Sequence, residues 1–172
     1  MKNIIRFALI VIFSAFSVTN MKAQDEFSKF EKDKQINSVV VNKKMFEMMT
    51  NVKVDPKNEE EKAYFDLIKK LDNLRVFNTS NSTSKAQLKD AFTSYLNKGK
   101  FKQLSEKKTE GATITIYINK DGSDKSVKEL LMFNEGNGTK ENIILLINGD
   151  FGLNEVSALT KKMNLPIGDS FK

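Results

Sequence analysis

The chain has 172 residues, 28 Lys+Arg against 22 Asp+Glu and a formal net charge of +6, and it contains no His, Cys or Trp. Those absences exclude His-based triads, thiol nucleophiles, disulfide frameworks and Cys/His zinc sites before any pattern is read. What remains is binding, or chemistry by oxygen and lysine groups alone.

The first 23 residues differ from the rest. Lys2 and Arg6 form a positive start, Phe7 to Val18 is an apolar run broken by Ser14 and Ser17, and Met21-Lys22-Ala23 ends on a small residue. This is the pattern of a secretory signal, with cleavage expected between Ala23 and Gln24. The apolar run would span only about 18 Å as a helix, short of the ~30 Å hydrocarbon core. The expectation is therefore an exported protein, periplasmic or extracellular, with no transmembrane span after cleavage. With no Cys in the sequence, it has no site for a lipoprotein anchor. Removing residues 1–23 removes three bases and no acid, so the charge falls to +3, spread evenly over the remaining 149 residues.

Residues 24–172 suit a single domain, without a linker or an internal repeat. Phe27 and Phe30, at helical spacing, are expected either to dock on the domain or to swap onto a neighbour. A short strand is expected at Ile36 to Val41. Met45, Met48 and Met49 with Phe46 form an adaptable apolar cluster. Met45, Met49 and Val52 share a helical stripe, so core packing is the first expectation; exposure would make the cluster a partner site.

Asp55-Pro56, followed by Glu59, Glu60 and Glu61 and then Tyr64, Ile68 and Leu71 on one face, predicts a helix near 56–71. A short strand follows at Leu74 to Asn78. Ser84-Lys85-Ala86-Gln87 reads as a capping box for a helix near 84–98, ending at Gly99. Phe101 to Lys107 is the next expected strand. Ile114, Ile116 and Ile118 alternate with Thr113, Thr115 and Tyr117, the clearest strand signature in the chain. Val127 to Phe133 and Ile143 to Ile147 complete a four-stranded antiparallel meander, and the unbroken Ile143-Ile144-Leu145-Leu146-Ile147 marks its most covered strand. Leu153, Val156, Leu159 and Met163 predict a last helix near 152–163, with Asp150 as a possible cap and Lys161, Lys162 and Pro166 at its end. The expected class is α+β, a mostly antiparallel sheet with helices packed on one face.

Candidate chemistries are few. With Arg75 the one arginine among 25 bases after residue 23, the bidentate grip on phosphate and guanine is nearly absent, and no nucleic-acid partner is expected. The lysine pairs at 43–44, 69–70, 107–108 and 161–162 read as solvated faces. Ser82 to Lys85 and Ser105 to Lys108 match the Ser-x-x-Lys spacing but lack its companion motifs, so no catalytic residue is assigned. Asp121-Gly122-Ser123-Asp124 reads as a turn rather than a calcium loop, and Asp150 and Glu155 as helix-start acids; no metal or cofactor is expected.

In order along the chain, Phe27 to Val52, Tyr64 to Ile68 with Leu74-Arg75-Val76-Phe77, Ile114 to Asp124, Val127 to Phe133, and Gly149-Asp150-Phe151 through Leu159 resemble the secreted bacterial family called domain of unknown function 4252, typical of flavobacteria-like organisms. The resemblance covers nearly all of residues 24–172. It implies an envelope location and a single domain, and it carries no catalytic signature.

The expected function is a non-catalytic envelope module that binds another envelope protein or a surface ligand. It would do so through its sheet face, a sheet edge or the N-terminal aromatic segment, with Phe27, Phe30, Met45, Met48 and Met49 as contact candidates. The alternatives are a hydrolase acting on an envelope polymer through Asp/Glu or Ser/Lys groups, and a carrier of a small hydrophobic ligand.

Overall fold

Six strands hydrogen-bond into one sheet in the order β1-β2-β6-β5-β4-β3, with every neighbouring pair antiparallel. The structure is a computed structural model that describes residues 26–51, 58–119 and 126–162. The strands are β1 (Asn37–Asn42), β2 (Leu71–Thr79), β3 (Phe101–Lys108), β4 (Ala112–Asn119), β5 (Val127–Gly136) and β6 (Asn142–Phe151). β3 to β6 run as the expected meander. β2 returns to the far side of β6, and β1 closes the sheet as an outer strand.

Among the described residues four helices accompany them: α1 (Lys43–Asn51), α2 (Glu59–Ile68), α3 (Ser82–Lys98) and α4 (Leu153–Lys162), with a 3-10 turn at Ser28–Lys32. The α+β class therefore stands, but the sheet is covered on both sides, not one. Along β5, Leu130 and Met132 join one core while Leu131 and Phe133 join another, and along β6 Leu145 and Ile147 separate from Ile144 and Leu146 in the same way. Successive side chains of a strand point to opposite faces, so two cores demand two covering layers. On the first face lie α1, α2 and α4, through Phe46, Leu67, Ile68, Val156 and Leu159. On the second lie α3 and the N-terminal segment, through Leu88, Phe92, Phe27 and Phe30. Ile114, Ile116 and Ile118 all face the first core, and Ile144 to Ile147 are fully buried.

The helix starts differ from expectation by one to three residues. Asn58 caps α2, its Oδ1 accepting from the Glu61 N–H at 2.9 Å. Asp55 and Pro56 lie outside the described residues. Leu71 belongs to β2, because it pairs across to Gly149 of β6. Asn81 caps α3 by accepting from the Ser84 N–H at 3.0 Å, so Ser84 is a buried first-turn residue instead of the cap. Asp150 stays in β6; Glu155 guards the start of α4, its Oε2 accepting from the Gly152 N–H at 2.7 Å. The early strand ends on Asn42, whose Oδ1 accepts from the Met45 N–H at 3.1 Å, so β1 passes into α1 without a loop.

Candidate functional site

With both faces of the sheet occupied, its two edges are the backbone left open, and their chemistry differs. β3, the outer strand at one edge, carries Lys102, Glu106, Lys107 and Lys108, the charged trim that discourages strands from adding to a sheet. β1, at the opposite edge, reads Asn-Ser-Val-Val-Val-Asn and holds no charge. Its backbone bonds to β2 on one side; among the described residues no other backbone group pairs with it.

Among the described residues, the large apolar side chains that stand exposed are Val39 (50 %), Met45 (43 %), Met48 (61 %), Met49 (40 %) and Leu104 (37 %). Four of the five belong to β1 and α1. Phe46 anchors α1 to the first core, while Lys43, Glu47 and Thr50 line a pocket against Ile68, Lys69 and Leu71 on its sheet-centre flank. At 100° per residue, Met45, Met48 and Met49 occupy the other flank, the one that looks outward past the sheet edge. Val39 lies opposite Val76, a first-face residue, and so points to the layer in which α1 lies. The uncharged strand edge, Val39 and the methionine flank thus gather at one end of the sheet, with Lys44 beside Met48 on α1.

The expectation that the methionines pack in the core is overturned. A nine-residue helix anchored by Phe46 turns one side inward, and the Met45-Met49 stripe lies beside that side. Phe27 and Phe30 do the reverse. They dock on the domain's own second face, 0 % and 2 % exposed, and offer no surface to a partner. The Phe27 ring centroid stands 5.8 Å from that of Phe77 and 5.1 Å from that of Tyr95, with the Arg75 guanidinium 5.9 Å away. Ala23 and Gln24 lie outside the described residues, as does the 121–124 turn cluster.

The lysines of the two Ser-x-x-Lys matches are engaged elsewhere. Lys85 Nζ donates to three carbonyls of the β5–β6 turn, Gly136 O at 2.8 Å, Gly138 O at 3.0 Å and Lys140 O at 2.9 Å. Its ammonium is a cation held in a carbonyl cage, turned away from any activating role toward Ser82. Lys108 pairs with Glu106 at 3.4 Å. Two carboxylates are held below the usual range: Glu26 by the Lys98 ammonium that donates to it, and Asp150 by Lys128 and then Ser126. That is the direction of ion pairs, opposite to the raised pKa of a general acid. Burial pushes the Tyr64 phenol up, and burial followed by the Glu106 charge does the same for Tyr117.

One polar feature went unread in the sequence. Asn42, Asn73, Asn148 and Glu129 align across β1, β2, β6 and β5 on the second face, and the Tyr95 hydroxyl donates to Glu129 from α3. The row contains one carboxylate, bonded to a phenol, and no facing acid. The pocket beside α1 is about 90 Å³. That holds roughly three waters at ~30 Å³ each and falls short of the ~300 Å³ at which ligand sites begin.

The geometry defines a class: an α+β domain whose antiparallel sheet is covered on both faces at its central strands and bounded on one side by an uncharged edge strand. The chain belongs to the family described as domain of unknown function DUF4252, which matches residues 30–159, from the 3-10 turn into α4. No curated protein and no solved structure matches it. No helix among the described residues is long and apolar enough to cross a membrane.

Proposed function

We propose that the protein is an exported, non-catalytic binding domain of the cell envelope, and that β1 and the outward flank of α1 form its contact surface for another protein. The signal-like residues 1–23 support export. The observation that carries the binding reading is the difference between the two edges. Large exposed apolar side chains gather at the uncharged edge, while the opposite edge bears three lysines. An unpaired strand supplies main-chain hydrogen bonds to an added strand, and the flanking Met side chains adapt to the shape that arrives.

Two measurements test this reading. Intact mass of the secreted form should begin at Gln24; a mass retaining residues 1–23 overturns the export half. A photo-reactive side chain placed at Met48 should give protein adducts in cells, while the same group at Lys102 on β3 should give none. Equal labelling from both positions refutes the contact surface.

A further inference from the structure

We infer that the occupant of the β1 edge is a second copy of this chain, the two β1 strands pairing antiparallel about a two-fold axis at Val40. The inference rests on the binding-edge reading above and names its partner. The chemistry of the edge selects the occupant. A charge at the middle of a segment laid along Asn37–Asn42 would stand against Val39, Val40 and Val41, so the partner strand must be uncharged at its centre and suited to a pleated sheet. β1 is itself such a strand, in a chain that is 29 % charged.

The strand is close to its own reverse, Asn-Ser-Val-Val-Val-Asn against Asn-Val-Val-Val-Ser-Asn. With Val40 opposite its own copy, Val39 lies opposite Val41 and Ser38 opposite Asn42. Apolar residues meet apolar, polar meet polar, and no like charges face each other. Opposed residues in an antiparallel pair point to the same side, so the helix-bearing first face of each copy continues into that of the other. Val39, half-exposed in the single chain, then approaches the Met45 and Met49 flank that follows the other copy's Val41 and Asn42. The same operation at the β3 edge, centred on Ser105, sets Lys102 opposite Lys108 and is repelled; centred on Leu104 it sets Lys102 opposite Glu106 but Lys108 opposite Lys100. Association is therefore isologous and stops at two copies, with charged strands at both ends of a twelve-stranded sheet.

The test uses the full-length product as secreted. Sedimentation equilibrium should show a monomer–dimer equilibrium. Val39→Lys should weaken it by about 100-fold or more, since each ammonium would be buried opposite Val41 of the other copy with no acid to pair it. Leu104→Lys, at the opposite edge, should leave it unchanged. Because the chain has no Cys, a single Val40→Cys substitution reads the axis directly. Residue 40 and its copy lie about 4.5–5.5 Å apart at Cα, within disulfide reach. Asn37→Cys places the same thiols about 20 Å apart and should not cross-link.

A chain that stays monomeric to about 0.1 mM, weaker than specific interfaces of standard size, overturns the inference. So does a dimer insensitive to Val39→Lys, or one that cross-links at residue 37 and not at 40. A monomer that still labels a different protein from Met48 overturns self-pairing while leaving the binding edge intact; a monomer that labels nothing from Met48 defeats both.

Discussion

Replacing Lys85 with methionine separates the structural role of this lysine from the Ser-x-x-Lys reading. Methionine keeps the length of the side-chain stem and removes the ammonium from its three carbonyls. The bond to Gly136 O is partly buried, and a hydrogen bond with a charged partner in that setting contributes about 1.5 kcal/mol. The bonds to Gly138 O and Lys140 O are exposed and contribute about 0.5 kcal/mol each after screening. Lys85→Met should therefore cost about 2–3 kcal/mol, which for a chain of this size lowers Tm by about 5–10 °C. Urea titration followed by circular dichroism measures it, with an unchanged m-value indicating that the folded and unfolded states keep their exposed surface. Lys89→Met is the control, since Lys89 meets only the exposed Glu135 at 2.5 Å and should cost under about 1 kcal/mol. Equal losses in the two variants, or a Lys85→Met loss below about 0.5 kcal/mol, refute the cage as a lock on the β5–β6 turn.

Phe27→Ala should cost about 3–5 kcal/mol, the range for a fully buried aromatic ring. Measured in the Val39→Lys background, its unfolding midpoint should not depend on protein concentration; a dependence means that the segment docks on a neighbour. Lys98 depresses the Glu26 pKa below its ordinary 4.5, so this contribution to stability is present above about pH 4.5 and is lost as pH falls through the folded value. Glu26→Gln should accordingly flatten the acid limb of the stability–pH curve and leave its shape near neutrality unchanged, and an unaltered acid limb counts against the pair. Gly138 has φ +56° with open space where a Cβ would stand, so Gly138→Ala should cost only the left-handed backbone penalty of about 1–2 kcal/mol. Denaturant melts check this, and a stabilised variant contradicts the turn geometry.

Much of the sheet was legible because alternation is a physical consequence of the pleat. Ile114, Ile116 and Ile118 were expected on one face and lie there together. The unbroken run Ile143 to Ile147 implied a strand covered on both sides, and that implication already conflicted with helices on a single face. The same holds for Leu130 to Phe133, whose side chains divide between two cores. Helix starts were harder to place, since Asn81, Ser82, Thr83 and Ser84 are all good caps and only packing selects among them. Here the selection buries Ser84 and leaves Asn81 to accept its N–H. The methionine stripe misled for a related reason. Apolar periodicity marks a helix face without saying whether anything lies opposite it, and at α1 only Phe46 finds the core.

The candidate site depends on the one property that local pattern does not encode, the order of strands. Val39-Val40-Val41 has the composition of a buried strand, and in the middle of this sheet it would be one. β2 pairs with β6 rather than with β3, so the sheet grows outward past β6 and leaves β1 last. A valine-rich strand without charge is then held at a rim where an isolated monomer gains nothing from it and risks uncontrolled association. The trim on β3 is what a solvent-facing edge requires: Lys102, Lys107 and Lys108 on a strand whose residues are nearly all exposed. Had both edges faced only solvent, the same constraint would have acted on β1. The difference between them is accounted for if β1 is covered when the protein works, and the two-fold pairing at Val40 covers it with the chemistry the chain already carries.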